Sequence, residues 1–479
     1  MKDKLYPWMV LSVTGLGNLL SGLNLSTLNV ALPEVASHFQ AGAITGSWIL
    51  LSFMLVNTIL ILVFGRIADI YGRRRLYIFG LTLFTLTSLL VGLSPNIWVL
   101  ILLRVLQAVG SALIISNITP LITDAFPEKT LGIALGFNIF IVSISHLIGP
   151  ALGGYLVFAF GWRWVFWFNV PIGIIGIIWA VLVLKPAPGR PPEEKIDAAG
   201  NITLFLGLSG LILALSQGGV VGWHSTPVIA AWVVFFVFLA LFIWIERRTD
   251  YPVVDFTLFH NRPFTMGVIS AFLNTLVRYS IVLLMALFFQ VAEGKNSMTA
   301  GLQILPVAGG MLIGSPLSGY LSTKYSTRFL TTTGLLCTGL GVFILMHQIV
   351  VHASFLWIFA GQFLTGFGSG VFMTANTKSI MMTVPKARRG VANGIRSMMM
   401  NMGQLVTTAL SLMIVTSRLP LYLKGALFAG AGASLGDSDV YLIALGYRTT
   451  FTVMLLITAL AITVSYFRNQ KNESNQYNS

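Results

Sequence analysis

The stretch TPVIAAWVVFFVFLALFIW, residues 226–244, carries no charged side chain along its whole length. A helix rises about 1.5 Å per residue, so such a run can cross most of a hydrocarbon core about 30 Å thick. Apolar runs of this kind recur along nearly the entire chain. They fall near 7–32, 44–66, 76–94, 97–123, 131–158, 163–184, 201–221, 227–245, 264–290, 299–322, 328–350, 354–383, 391–417 and 448–467. About fourteen membrane-crossing helices are therefore expected. A transmembrane barrel would show short alternating strands instead of long unbroken runs. Composition agrees: of 479 residues 56% are hydrophobic and 9% charged, against roughly a quarter charged in an ordinary soluble domain.

The charges that remain are placed, not scattered at random. About twenty lysines and arginines fall in loops and tails of one side, against Arg163, Lys295, Arg418, Lys424 and Arg448 on the other. This asymmetry predicts that both termini are cytoplasmic. The net charge of +14 is spread over short loops, and no basic, aromatic-interleaved domain is present, so nucleic acid is not an expected partner. Cys337 is the only cysteine and lies in an apolar run, which leaves no disulfide framework and no metal cluster. The opening MKDKLYPW leads straight into a long apolar segment and reads as a first span rather than a signal peptide.

The longest loops on the basic side, 185–200 and 246–262, bracket one pair of spans. The expected organisation is a six-helix bundle over 1–184, a linker with two extra helices over 185–263, and a second six-helix bundle with its tail over 264–479. A further long loop on the opposite side, 418–447, is rich in Gly, Ala and Ser; no function is assigned to it.

Several strings interrupt the apolar pattern. GRIADIYGRRR (65–75) places Asp69 and Arg73 four residues apart, where they can pair. Gly65 would admit a close helix neighbour, and Gly72 a tight turn. A degraded copy, GYLSTKYSTR (319–328), has Thr323 in place of the acid and Ser326 in place of the second glycine. LLRVLQAVGSA (102–112) puts Arg104 within a span, where a charge costs a few kcal/mol or more and marks a functional position. SHLIGPALGGYL (145–156) combines Gly149 and Pro150 with Gly153 and Gly154, a pattern for helix bending and close packing.

Together these strings resemble the major facilitator superfamily. Its cytoplasmic-loop signature has an acid where Asp69 stands and a base at Arg73. Its fourth-helix motif matches Arg104, Gln107 and Gly110, with Ala108 where glycine is usual. The Gly-Pro string resembles the antiporter motif of its exporters. WRWVFWFNVPIG (162–173), the extra helix pair with ALSQGG (214–219) and Trp223, and Pro252–Phe264 resemble the fourteen-helix drug:proton antiporter branch. The resemblance implies an all-α polytopic fold of two related six-helix bundles plus an inserted pair, in the plasma membrane of a bacterial cell. It implies secondary active export of amphipathic small molecules by alternating access, driven by protons, by a monomer embedded in membrane lipids. One departure stands out. In LNLSTLNVALP (23–33) the branch usually has an aspartate where this chain has Asn24; Asn29 fits the branch and is expected to bond a neighbouring helix.

None of the fifteen acids falls mid-span on these boundaries. The buried ionisable groups are basic: Arg104, Arg278, Lys378 and Arg396, with His146. Lys378 and Arg396 lie near span ends and can snorkel. Two deep arginines without a deep acid point to an anionic or zwitterionic substrate, unless Arg104 is held structurally by Asn24, Gln107 and backbone carbonyls. Candidate cavity residues are Asn24, Asn57, Arg104, Asn117, Asn138, Asn274, Arg278, Tyr279 and Asn376. Candidates for proton coupling are His146, whose imidazole titrates near neutral pH, Glu34 at the outer mouth, and Arg104. No GxxxxGK[ST], HExxH or GxSxG string occurs, which argues against ATP drive and membrane enzymes and implies no cofactor. A lipid, fatty-acid or metabolite transporter of the same fold is the alternative.

Overall fold

The computed structural model describes residues 2–41, 43–186, 197–249, 256–291, 293, 295, 297–349, 354–417, 419–420, 423 and 437–468. Among them the regular structure is helical, with no strand. In chain order the helices are α1 (Lys2–His38), α2 (Ala43–Tyr71), α3 (Arg73–Gly92), α4 (Ile97–Ala125), α5 (Glu128–Phe160), α6 (Trp164–Trp167), α7 (Asn169–Val183), α8 (Ala198–Val221), α9 (Thr226–Glu246), α10 (Arg262–Val291), α11 (Ser297–Gln303), α12 (Leu305–Leu321), α13 (Thr327–Gln348), α14 (Phe355–Thr383), α15 (Arg389–Ser417) and α16 (Asp437–Tyr466). Thirteen stretches of the described residues are long and apolar enough to cross a membrane, and Ala199–Leu215 within α8 is a shorter apolar helix. The chain is a multi-pass membrane protein, and the count agrees with about fourteen spans.

Three boundaries differ from the sequence reading. The span expected over 163–184 is interrupted at Phe168, because Pro171 brings no N–H and its ring opposes the carbonyl of Trp167 one turn earlier. The span over 299–322 is interrupted at Ile304, just before Pro306. The loop expected over 418–447 lies largely outside the described residues, but its closing part is the first three turns of α16. Apolar packing extends the helix: Ile443 and Tyr447 are fully buried, and the Tyr447 ring sits edge-on to Phe288 at 5.9 Å. The central parts of the two basic-side linkers, 187–196 and 250–255, also lie outside the described residues.

The chain forms two compact units. One comprises Met1–Leu211, Val233–Leu258 and Met381–Met398; the other comprises Ile212–Trp232, Phe259–Ile380 and Met399–Ser479. The first is built on a core of Val13, Leu20, Tyr77, Leu81, Phe84 and Ile114, with a second cluster around Leu28, Ile49, Trp162 and Phe166. The other has its core around Ile281, Phe288, Phe289, Val342, Tyr447 and Phe451. Hydrocarbon offers a buried polar group no partner, so the polar residues within each unit call for an account of what they bond.

Candidate functional site

In the first unit Arg104 is 0% exposed, about two turns into α4. Its Nε donates to the Ile49 carbonyl at 3.2 Å, and its Nη1 donates to Asn24 Oδ1 at 2.9 Å and Gln107 Oε1 at 2.5 Å. Gln107 in turn donates to Ser88 Oγ at 2.7 Å. The guanidinium lies over the Phe53 ring at 4.2 Å, a cation–π contact strengthened by burial of the pair. No carboxylate is part of this arrangement. Hydrogen bonds to a charged group contribute about 1.5–3 kcal/mol each, so the amides and carbonyl offset the desolvation of the cation. Asn24 supplies a neutral acceptor to this cation, and its own Nδ2 is buried without a partner, as is Nη2 of Arg104.

The same segment of α1 packs on the glycine face of α5. A Cβ at Gly153 would lie 2.6 Å from the Thr27 carbonyl oxygen, and one at Gly149 would overlap Ser26. The glycines are therefore required by backbone proximity. Gly154 has only Val30 near it, at 3.9 Å, and α5 runs unbroken through Pro150. His146 Nδ1 lies 3.0 Å from Ser26 Oγ, so this imidazole is one residue pair away from the Asn24 turn. Asn138 accepts from Asn18 Nδ2. Asn18, a polar amide within the first apolar run, is a signal the sequence reading passed over. Asn57 and Asn117 each bury a side-chain oxygen without a partner, although Asn117 Nδ2 donates to the Leu113 carbonyl at 2.7 Å. Glu34 is exposed near the end of α1. Asn29 is also exposed and makes no side-chain hydrogen bond among the described residues, so the expected bond to a neighbouring helix is absent; it lies off the face that carries Leu28 and Ala31 into the core.

At another end of this unit, Asp69 and Arg73 pair at 2.8 Å. They do so across a helix break and not along one helix: Gly72, at φ 98, separates α2 from α3, and only glycine holds that conformation cheaply. Asp69 also accepts from the backbone N–H of Gly390 and of Val391, each at 3.2 Å. Its charge thus faces the first turn of α15, where a carboxylate complements the unpaired N–H groups and the helix dipole. Asp124 accepts from Arg73 and from Arg389 Nη1, the latter at 3.0 Å. A Cβ at Gly65 would lie 2.5 Å from the Gly390 carbonyl oxygen. The sequence reading found Gly65, Asp69, Gly72 and Arg73. It missed Asp124, Arg389 and Gly390, whose positions hundreds of residues apart carry no local signal.

The second unit contains the other deep arginine. Arg278, near the middle of α10, is 9% exposed. It lies over the Tyr279 ring at 4.3 Å and makes one long contact, Nη1 to Met311 Sδ at 3.9 Å. Its Nε is buried without a partner, as is Oδ1 of Asn274 one turn away, whose Nδ2 donates to Ser369 Oγ at 3.3 Å. Asn376 is engaged otherwise: it donates to the Gly267 carbonyl at 3.0 Å and accepts from Arg468 Nη1 at 2.6 Å. Arg468, expected in the tail, is 1% exposed. Lys378 Nζ donates to the Ser322 carbonyl at 2.9 Å, which anchors this cation to the end of α12. No group of three or more His, Cys, Asp or Glu with metal-binding geometry occurs among the described residues.

The sequence profile of the Major Facilitator Superfamily matches residues 14–347 and 267–478. The chain belongs to this family of transporters. It is 33% identical over 390 residues to "Multidrug resistance protein Stp" of Mycobacterium tuberculosis, covering 81% of this chain and 72% of the relative. It is 30% identical over 407 residues to "Probable multidrug resistance protein EmrY" of Escherichia coli, covering 85% and 79%. To "Riboflavin transporter RibZ" of Clostridioides difficile it is 28% identical over 410 residues, covering 85% and 88%. The fold is that of solved transporters of the superfamily. The human organic anion transporter MFSD10 superposes with a TM-score of 0.65 at 16% identity, covering 96% of this chain and 99% of that one. The proton:xylose symporter XylE does so with 0.63 at 14%, covering 95% of each.

Proposed function

We propose that the chain is a secondary exporter of amphipathic, drug-like small molecules that works by alternating access and uses the proton gradient. The observation that carries this reading is the 33% identity, over four fifths of the chain, to a protein named for multidrug resistance. The glycine seam between α1 and α5, which resembles the exporter motif, supports the direction. The proposed moving bodies are bundles over 1–184 and 264–479 joined through 185–263, in a monomer with both termini cytoplasmic in a bacterial plasma membrane.

Within this reading the substrate carries negative charge or is zwitterionic. Of the two deep arginines, Arg104 commits its Nε and Nη1 to Ile49, Asn24 and Gln107 and leaves only Nη2 without a partner. Arg278 holds only a ring face and a thioether and keeps donors for a ligand, with Asn274 beside it. A lipophilic cation normally needs a buried carboxylate as its attraction, and Asp69 and Asp124 of the first unit are committed to Arg73 and Arg389. His146, on Ser26, is the proposed coupling group, with Glu34 as the second choice. Purified protein in proteoliposomes under an imposed pH gradient tests the reading. Uphill movement of an anionic amphiphile is expected. Robust transport of a lipophilic cation with none of the anion would overturn the charge assignment, and no gradient-driven transport of either would overturn proton coupling.

A further inference from the structure

The second unit carries a cleft of about 410 Å³ that none of the transport machinery uses, lined by Arg262, Met266, Arg328, Tyr466 and Phe467. Three helix ends meet there: the starts of α10 and α13 and the finish of α16. The Arg328 guanidinium lies over the Tyr466 ring at 4.2 Å. Neither Arg262 nor Arg328 makes a hydrogen bond or an ion pair through its side chain among the described residues. The described acids of this unit are remote from the cleft along their helices: Glu293 follows the far end of α10, and Asp437 and Asp439 stand at the far end of α16. A further arginine, Arg468, lies against Gly267 behind the lining and is tied to Asn376. Among the described residues the charged lining of the cleft is thus cationic. Its mouth is apolar: Tyr466 is 53% and Phe467 68% exposed on a surface of helices built to contact hydrocarbon.

We propose that this cleft binds the phosphate headgroup of an anionic phospholipid. Guanidinium groups match phosphate oxygens in geometry and charge. Basic pockets between membrane helices are suited to such headgroups. One guanidinium is already stacked and oriented by Tyr466, which lowers the ordering cost of binding. Phosphate is the chemistry shared by a lipid and a free anion; the exposed Tyr466 and Phe467 beside the arginines favour the lipid, because they offer acyl chains a surface that a small anion would leave bare. The inference does not depend on what the protein transports.

The test is native mass spectrometry of the full-length protein in detergent, titrated with phosphatidylglycerol or phosphatidylcholine, with inorganic phosphate as competitor. The expected result is retention of phosphatidylglycerol at least about tenfold tighter than phosphatidylcholine. The double variant Arg262→Gln/Arg328→Gln should remove about that factor, which corresponds to roughly 1.4 kcal/mol, with phosphatidylcholine retention unchanged. Arg262→Lys/Arg328→Lys, which keeps the charge, should retain part of the preference. Both arginines lie at the surface of the fold, so an unchanged melting temperature shows that loss of binding is local. Equal phosphatidylglycerol retention by the wild type and the glutamine variant would overturn the proposal. So would full displacement of the lipid by inorganic phosphate at equal concentration.

Discussion

The two deep arginines face the same problem and meet it differently. Arg104 has the fuller shell: two side-chain amides, a carbonyl and an aromatic face hold its Nε and Nη1 side, and only Nη2 is left without a partner. Arg278 rests on one aromatic face and one sulfur at 3.9 Å. A buried cation without a carboxylate is costly in hydrocarbon. A shell of neutral acceptors offsets that cost within the fold, and such a residue is structural unless the shell opens. A cation with a sparse shell has donors left over, and an anionic ligand can supply the rest. On the proposed reading, the contrast separates an arginine held by the fold from one that offers its donors to a substrate.

The comparison can be broken most directly at Arg104. Arg104→Met removes the centre of the shell and leaves the acceptors of Asn24 and Gln107 buried and unpaired, at a cost of about 3 kcal/mol. A clear drop in the melting temperature of the detergent-solubilised protein is expected; a variant as stable as wild type would show that the shell is dispensable. Arg278→Gln is expected to do the reverse. Its melting temperature should stay near wild type, while transport of an anionic amphiphile falls at least about tenfold, equivalent to roughly 1.4 kcal/mol. If transport persists while stability collapses, the roles of the two arginines are exchanged.

Asn24→Asp sharpens the comparison further. The new carboxylate would replace an oxygen that already lies 2.9 Å from Arg104 Nη1. It is therefore neutralised by that arginine, and no lipophilic-cation export is expected to appear. Appearance of such export in vesicles would mean that the missing acid had been the substrate filter and that Arg104 does not hold the oxygen during transport. His146→Gln bears on coupling alone. Glutamine can keep a hydrogen bond to Ser26 but cannot titrate, so downhill exchange should continue while uphill movement under a pH gradient alone is lost. Undiminished uphill transport would remove His146 from coupling.

Much of this was legible in the sequence because membranes impose local rules. A span must be long and apolar, so the helices appear in order and in about the right number. A charge in hydrocarbon needs a reason, so Arg104 and Arg278 stand out by their position alone. Glycines at helix contacts and the Asp69–Arg73 spacing also have local signatures. What the sequence left open was partnership. Asn29 and Asn24 look alike in the string, five residues apart, yet Asn29 is exposed and Asn24 is fully buried on Arg104. A helix places such residues on different faces, and only its packing decides which face meets a neighbour. Arg468 was expected among tail charges, yet it is buried against Asn376.

The sequence by itself determined that this chain crosses a membrane many times as helices, because hydrocarbon forbids unsatisfied backbone and tolerates few charges. It also determined which polar residues demand explanation. Only the tertiary structure decided how each demand is met. Asp69 meets the first N–H groups of α15 across more than three hundred residues, and Arg104 finds its acceptors on three different helices. Those contacts depend on distances in space, which the order of residues along the chain does not encode locally.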